Sequence, residues 1–339
     1  MAKQRIDLKI SQDTEDGDCY IKCLYEICKE LKIPLSTSKL IALMGGLLLE
    51  DDGVELGKVC YVQEAELIED TVFLIKEKQY NNLEEGLVEI KKELLNNRLL
   101  IIPVNVYYIC YTDDYLKNSG GFFHGPHYLI LHGFDDGKKV FIISDPVFKK
   151  ESYEIDYDVF SLAWTYTKDA GRFVPLLAGV YGKKDNVDYA SLLKKTLKES
   201  IKGYFVPEAD QNEEHTWEQV YCINTLITQL DHYMGKSFFH DKKQFLLNLN
   251  YSIFFYMRWV RKSMGYFLAS DEFKEYEGLA EYKEFFLKKF DEWTLVSNLL
   301  AIGVDKENDK RICKARDKMI MLVEEEVECY SKMMQIVCR

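Results

Sequence analysis

Between Asp18 and Leu31 the apolar residues Ile21, Leu24, Ile27, Cys28 and Leu31 recur at the spacing of one helix face. "KIP" closes the run, because proline disfavours helix at the residue before it. "STSKLIALMGG" predicts a second, short helix, capped by one of Ser36, Thr37 or Ser38 and stopped at Gly45-Gly46. A third is expected from about Leu83 to Asn97. The period then changes. "RLLIIPVNVYYICY", "HYLILHGF" and "KKVFIIS" are rich in Ile, Val and Tyr and separated by Gly- and Asp-rich turns such as "DDGKK", which predicts strands of one sheet. "SYEIDYDVF" and "RFVPLLAGVYG" either extend that sheet or lie on its edge. Beyond Gly182-Lys183-Lys184-Asp185 the pattern is helical to the end, and its amphipathic segments predict a bundle in which the aromatic stripe "YSIFFYMRWV" is a core helix. The expected architecture is α+β over 1–184, helices first and an antiparallel sheet afterwards, followed by an all-α helical domain over 185–339.

Composition narrows the class. Of the 339 residues 47% are hydrophobic and 14% aromatic, with no low-complexity tract, as in a folded globular chain. The formal net charge of −12 argues against nucleic acid or an anionic membrane as partner, since both call for clustered Lys and Arg. "MAKQRIDLKISQD" lacks the apolar core of a signal peptide, and "LIALMGGLLL" is too short to span a bilayer. Nine cysteines without a framework of spacings suit a reducing compartment, so free thiols in the cytoplasm are expected.

Chemistry concentrates at one cysteine. A thiol becomes a good nucleophile at a helix N-terminus or beside an imidazolium, and Cys19 lies in the first turn just after Gly17-Asp18. Cys23 and Cys28 fall further along the same helix and read as structural. The imidazole must come from elsewhere in the chain. His127, at the head of "HYLILHGF" after the loop "NSGGFFHGP", is the leading candidate for general base. His124 in that loop is a competitor or a substrate contact, and His132 reads as packing. Asp145, closing "KKVFIISDP", is placed to take the His127 Nδ1 proton and turn the other ring nitrogen toward Cys19. Asp135 and Asp136 read as turn residues. Cys19 and Cys23 with His124 and His127 would also make a Cys2His2 zinc set, a weaker reading because such pairs sit on knuckle turns rather than inside a helix.

"GDCYIKCL" and "HYLILHGFDDGKKVFIISDP" resemble the cysteine and the histidine–aspartate strands of the papain-like peptidases that cleave double-glycine leaders. The resemblance is closer to the butirosin biosynthesis acyltransferase family, through "LKIPLS" after the cysteine helix, the turn Gly45-Gly46, the segment "VNVYYICY" read as a strand from Val104 to Tyr111, and a helical C-terminal domain. Asp18 stands where that family has His, Asn105 and Cys110 where it has Asp and Pro, and Gln12 lies seven residues before the cysteine, one more than the oxyanion glutamine of the peptidases. The resemblance implies a Cys19–His127–Asp145 triad that moves an acyl group from a carrier-protein phosphopantetheine thioester to a small-molecule amine in specialised-metabolite biosynthesis. Gln12, Asp18, Asn105, Tyr107 and His124 are then candidates for oxyanion and substrate binding. No metal or other cofactor is called for, and a homodimer is compatible. Two alternatives stay open: a cysteine peptidase or thioesterase with water as acceptor, and a non-catalytic domain that binds through the same cleft.

Overall fold

The computed structural model describes residues 2–11, 17–47, 49–51, 59–61, 72–80, 82–112, 115, 127–165, 176–205, 219–234, 236 and 240–338. The chain is α+β and divides into two compact units, one of residues 1–40 and 66–187, the other of 41–65 and 188–339. The division is not at a single point, because the segment 41–65 clusters with the C-terminal helices.

In the first unit, helix α1 (Cys19–Glu30) starts where Asp18 caps it, its carboxylate accepting the Ile21 N–H at 2.8 Å. Helix α2 (Thr37–Leu43), which runs across the division at 40–41, begins at Ser36, whose carbonyl accepts the Leu40 N–H, and stops where Gly45 turns to a φ of 75°. The sheet is antiparallel, in the order β4 (Phe73–Gln79), β9 (Leu176–Lys183), β5 (Leu99–Val104), β6 (His127–Asp135), β7 (Val140–Asp145), β8 (Lys150–Asp156). β1 (Lys3–Arg5) adds to β6 beyond the end of β5. There it lies so close that a Cβ at Gly133 would meet the Gln4 carbonyl at 2.6 Å, so only glycine fits.

Leu100, Ile102, Val104, Leu129 and Leu131 share a core with Ile90 and Leu94 of helix α3 (Leu83–Leu95) and Phe160 and Trp164 of helix α4 (Tyr157–Thr165). Tyr128 has the opposite parity and meets α1 instead: its ring packs edge-on against Tyr20 at 5.1 Å and its carbonyl accepts the Cys23 thiol at 3.5 Å. Helices therefore cover both faces of β6, and α1 is fixed across the strand that His127 begins.

One expectation needs correction, and two runs with open alternatives are decided. The segment after β5 is not a strand to Tyr111, because Asn105 Oδ1 accepts the Tyr107 N–H at 2.9 Å and winds Val106–Tyr108 into a 3₁₀ turn. Of the two alternatives for "RFVPLLAGVYG", β9 extends the sheet, entering it between β4 and β5. "SYEIDYDVF" is divided, its first half pairing as β8 and its second opening α4, with Asp156 Oδ1 accepting the Asp158 N–H at the junction.

The second unit contains the hairpin β2 (Leu49–Asp51) and β3 (Val59–Tyr61), helices α5 (Tyr189–Lys202), α6 (Gln219–Tyr233) and α7 (His240–Ser252), a π-helical turn Ile253–Met257, and helices α8 (Arg258–Leu268), α9 (Tyr282–Asp305) and α10 (Asp309–Val337). Leu49, Ile223, Leu230, Leu249, Trp293, Leu300 and Leu322 meet in its core. The aromatic stripe is only half buried: Ile253, Met257 and Val260 face inward, while Phe254 and Phe255 are exposed. Inside this core Glu326 accepts from Arg261 Nε (3.0 Å) and Nη2 (2.6 Å), Trp293 Nε1 (2.8 Å) and the Tyr204 hydroxyl (3.0 Å). No described helix is long and apolar enough to cross a membrane.

Candidate active site

The Asp18 cap fixes where α1 begins, and this puts Cys19, half-buried, in its first turn. The first turn leaves backbone N–H groups unpaired within the helix, which with the helix dipole makes it a favourable place for negative charge. His127 is the first residue of β6, held by pairing with Val104, and is 8% exposed. Asp145 is the last residue of β7 and is fully buried.

Pro146 bends the chain after Asp145, and Asp145 Oδ1 accepts the Val147 and Phe148 N–H groups at 3.0 and 3.2 Å. One carboxylate oxygen thus holds the turn, and the other is free to meet the ring. Asp145 Oδ2 accepts His127 Nε2 at 2.7 Å and the Tyr111 hydroxyl at 2.9 Å. His127 also hydrogen-bonds Cys19. Since Nε2 is engaged by the carboxylate, Nδ1 is the nitrogen left for the sulfur. The ring is therefore turned the opposite way from the sequence expectation. Its orientation is set by the Asp145 turn and by the Phe148 ring, edge-on at 5.4 Å, a contact that no residue pattern encodes.

Burial alone would disfavour the imidazolium of His127, but its hydrogen bonds with Asp145 and Cys19 outweigh it and raise the pKa to about 9. The ring therefore holds its second proton through neutral pH, next to the sulfur. Burial, with Asp145 adding to it, pushes the Tyr111 phenol far up, so Tyr111 is a neutral donor. Cys23 and Cys28 are buried deeply enough that desolvation keeps both as thiols. The other histidine of β6 is committed elsewhere. His132 Nδ1 donates to the Ile6 carbonyl at 2.7 Å, and its Nε2 faces Ser144 Oγ at 3.1 Å, which itself accepts the Ser152 N–H. Burial lowers its pKa, and it serves as a neutral clamp between β7 and the residue that follows β1. No family model matches this chain, and no curated protein does.

Cys19, His127 and Asp145 thus converge, with Asp18 as the cap of the cysteine's helix. Asn105 and Tyr107 lie in the 3₁₀ turn leading to Tyr111, where Asn105 also donates its backbone N–H to the Ala163 carbonyl at 2.8 Å. Gln12 and His124 lie outside the described residues, as does most of the loop before His127. Asp135 caps its own turn, accepting the Gly137 and Lys138 N–H groups. Among the described residues no group of three or more His, Cys, Asp or Glu side chains could hold a metal ion. Tyr111 and Phe148 are the site residues that the sequence reading did not assign. The signal available for the first was the tyrosine run "VYYICY", of which only Tyr107 was a candidate; for the second it was only proximity to Asp145-Pro146.

Proposed function

We propose that this protein is a cysteine-dependent acyltransferase with a papain-like catalytic unit, acting by way of a Cys19 acyl-enzyme, as its likeness to the butirosin biosynthesis acyltransferases implies. The observation that carries the reading is the ordered contact of Cys19 with His127 and of His127 with a buried Asp145. A sulfur beside an imidazole, with a carboxylate fixing the ring from behind, is the arrangement that nucleophilic cysteine chemistry uses.

The Cys19 thiolate attacks the carbonyl carbon of a carrier-bound thioester, and the negative charge that develops on oxygen lies near the N-terminus of α1. Collapse breaks the carbon–sulfur bond to the phosphopantetheine arm, whose sulfur takes the proton held by His127 Nδ1. A small-molecule amine then attacks the acyl-enzyme, Nδ1 accepts its proton, and the thiolate–imidazolium pair is restored with release of an amide. Asp145 keeps Nε2 protonated and the ring in register throughout. The carrier protein and the amine are the implied partners, and the cytoplasm the implied location.

The test is incubation with a short acyl-pantetheine thioester, followed by intact-mass spectrometry with and without an amine. The expected result is an acyl adduct at Cys19 that persists in buffer, is discharged by amine, and is absent from Cys19→Ala. Immediate turnover to free acid in buffer alone would assign the site to hydrolysis, and an adduct retained in Cys19→Ala would remove the reading altogether.

A further inference from the structure

Asp145 does not serve His127 alone. Its Oδ1 is consumed by two backbone N–H groups, and its Oδ2 is shared between His127 Nε2 at 2.7 Å and the Tyr111 hydroxyl at 2.9 Å. The tyrosine is held in place on two sides. Its ring meets Phe148 at 5.9 Å and Tyr153 at 5.1 Å, both edge-on, and Phe148 in turn packs against the His127 ring. The turn made by Asn105 and by Thr112, whose hydroxyl donates to the Val106 and Ile109 carbonyls, delivers the hydroxyl to this spot. A structural tyrosine in a core needs some acceptor; this one has been given the same oxygen atom that holds the imidazole.

We propose that Tyr111 is a positioning residue of the site, whose hydroxyl moderates the Asp145 carboxylate and thereby sets how firmly His127 keeps its proton. The proposal rests on the acyl-enzyme reading only for its purpose; the contact itself does not depend on it. A donor to a carboxylate draws on the negative charge that would otherwise stabilise the imidazolium. With the donor present, Asp145 is a weaker partner for the ring. A base that must both take and return a proton works best when its affinity lies near the operating pH, so a device that stops the buried carboxylate from over-stabilising the imidazolium suits the chemistry.

The other groups facing this centre act in known directions. Cys19 on α1 favours the imidazolium of His127, and Asp145 favours it most. Cys23, next along α1, is a neutral thiol. On β8, Lys150 lies 5.5 Å over the Tyr111 ring, and the Tyr153 hydroxyl is 2.9 Å from Cys110 Sγ, one ring removed from the carboxylate. Apart from His127 itself, Tyr111 is the one side chain among these groups that hydrogen-bonds the shared oxygen.

The experiment is a pH titration of the His127 ring by carbon–proton NMR on histidine-labelled protein, the resonance being assigned by its loss in His127→Asn. In Tyr111→Phe the midpoint is expected to rise by about half a pH unit or more, since a hydrogen bond to a charged group is removed. Tyr153→Phe, which deletes a hydroxyl from the same aromatic cluster, should leave it in place. Equal shifts in both variants, or no shift in Tyr111→Phe, overturns the assignment. Placing 3-fluorotyrosine at position 111 keeps the fold and strengthens the donor, and should move the midpoint down; a rise there overturns it too. An inert Cys19 with the expected shifts refutes the acyl-enzyme reading and supports Tyr111's role. A reactive Cys19 with an unmoved midpoint refutes Tyr111's role alone.

Discussion

The two units each bury a carboxylate completely, and each surrounds it with a tyrosine and a nitrogen cation, yet only one of these two centres sets a titratable ring against its carboxylate. Glu326 is tied to Arg261 by two hydrogen bonds and finished by Trp293 and Tyr204, and Tyr204 stacks on Tyr330 at 3.7 Å. Its cation cannot give up a proton near neutral pH, and Arg261 spends a further N–H on the Met257 carbonyl. Nothing there is left to react. Asp145 instead faces a titratable ring that keeps a second nitrogen for a half-buried sulfur. Buried charge by itself marks a costly structural element as readily as an active site. The distinguishing features are a labile proton and a partner that a substrate can reach.

This comparison can be broken most forcefully at Glu326. Glu326→Gln leaves the Arg261 charge uncompensated in a sealed core and should cost about 3–5 kcal/mol in urea unfolding of the helical unit, with Cys19 alkylation unchanged wherever that unit stays folded. Replacing both partners by apolar residues (Arg261→Met with Glu326→Leu) should recover part of this, but not all, because Trp293 Nε1 and the Tyr204 hydroxyl lose their acceptor. An Arg261–Glu326 centre that tolerated Glu326→Gln without loss would contradict the structural assignment.

The next effect is in pH dependence, and only the Asp145 centre should carry it. His127 has a folded pKa of about 9 against roughly 6.5 in an unfolded chain. A raised pKa stabilises the fold fully below the unfolded value and loses that contribution as pH climbs through the folded one. Stability of the first unit should therefore fall by up to roughly 3 kcal/mol between about pH 6.5 and 9, and Asp145→Asn should flatten this slope. Arg261 keeps its charge across the window, and burial pushes the Tyr204 and Tyr330 phenols above it, so the helical unit should show no matching slope. Denaturant midpoints read at a series of pH values check both.

The smallest effect sorts scaffold from machinery beside the site. Asn105→Ala removes the acceptor for the Tyr107 N–H and should cost about 1 kcal/mol, as loss of a capping side chain does, while the rate of Cys19 alkylation changes less than twofold. A large fall in that rate with stability intact would return Asn105 to the list of substrate contacts.

The parts legible in the sequence are those fixed by local periodicity. The α1 face, the β5–β7 strands, the Asp145-Pro146 turn and the C-terminal helices all follow from spacing over ten to twenty residues. Sheet order is a different matter: β9 enters between β4 and β5 through pairings a hundred residues apart, and β4, with "FLIKEKQ", carries too few apolar residues to announce itself. The tyrosine run after β5 has strand propensity, and a single side chain, Asn105, overrides it. The cysteine, histidine and aspartate could be named because each sits at the end of a regular element, where the chain is most predictable. Which ring nitrogen meets the carboxylate, and that Tyr111 meets it too, depend on ring packing against Phe148 and so have no counterpart in the sequence.

The chain's interleaving carries a consequence for the order in which the protein can be made. Leu49 and its hairpin emerge from the ribosome early, but Leu49 is buried among side chains of the C-terminal helices, and its carbonyl accepts the Cys222 thiol across 173 residues of sequence. The first unit, by contrast, has all its strands once Lys183 has been synthesised. During synthesis, then, the cysteine site can close while the hairpin still waits for its core. A nascent chain stalled after Val187 would hold a complete Cys19–His127–Asp145 contact and an orphaned apolar segment at 41–65, a form that invites chaperone capture until the last helix is released.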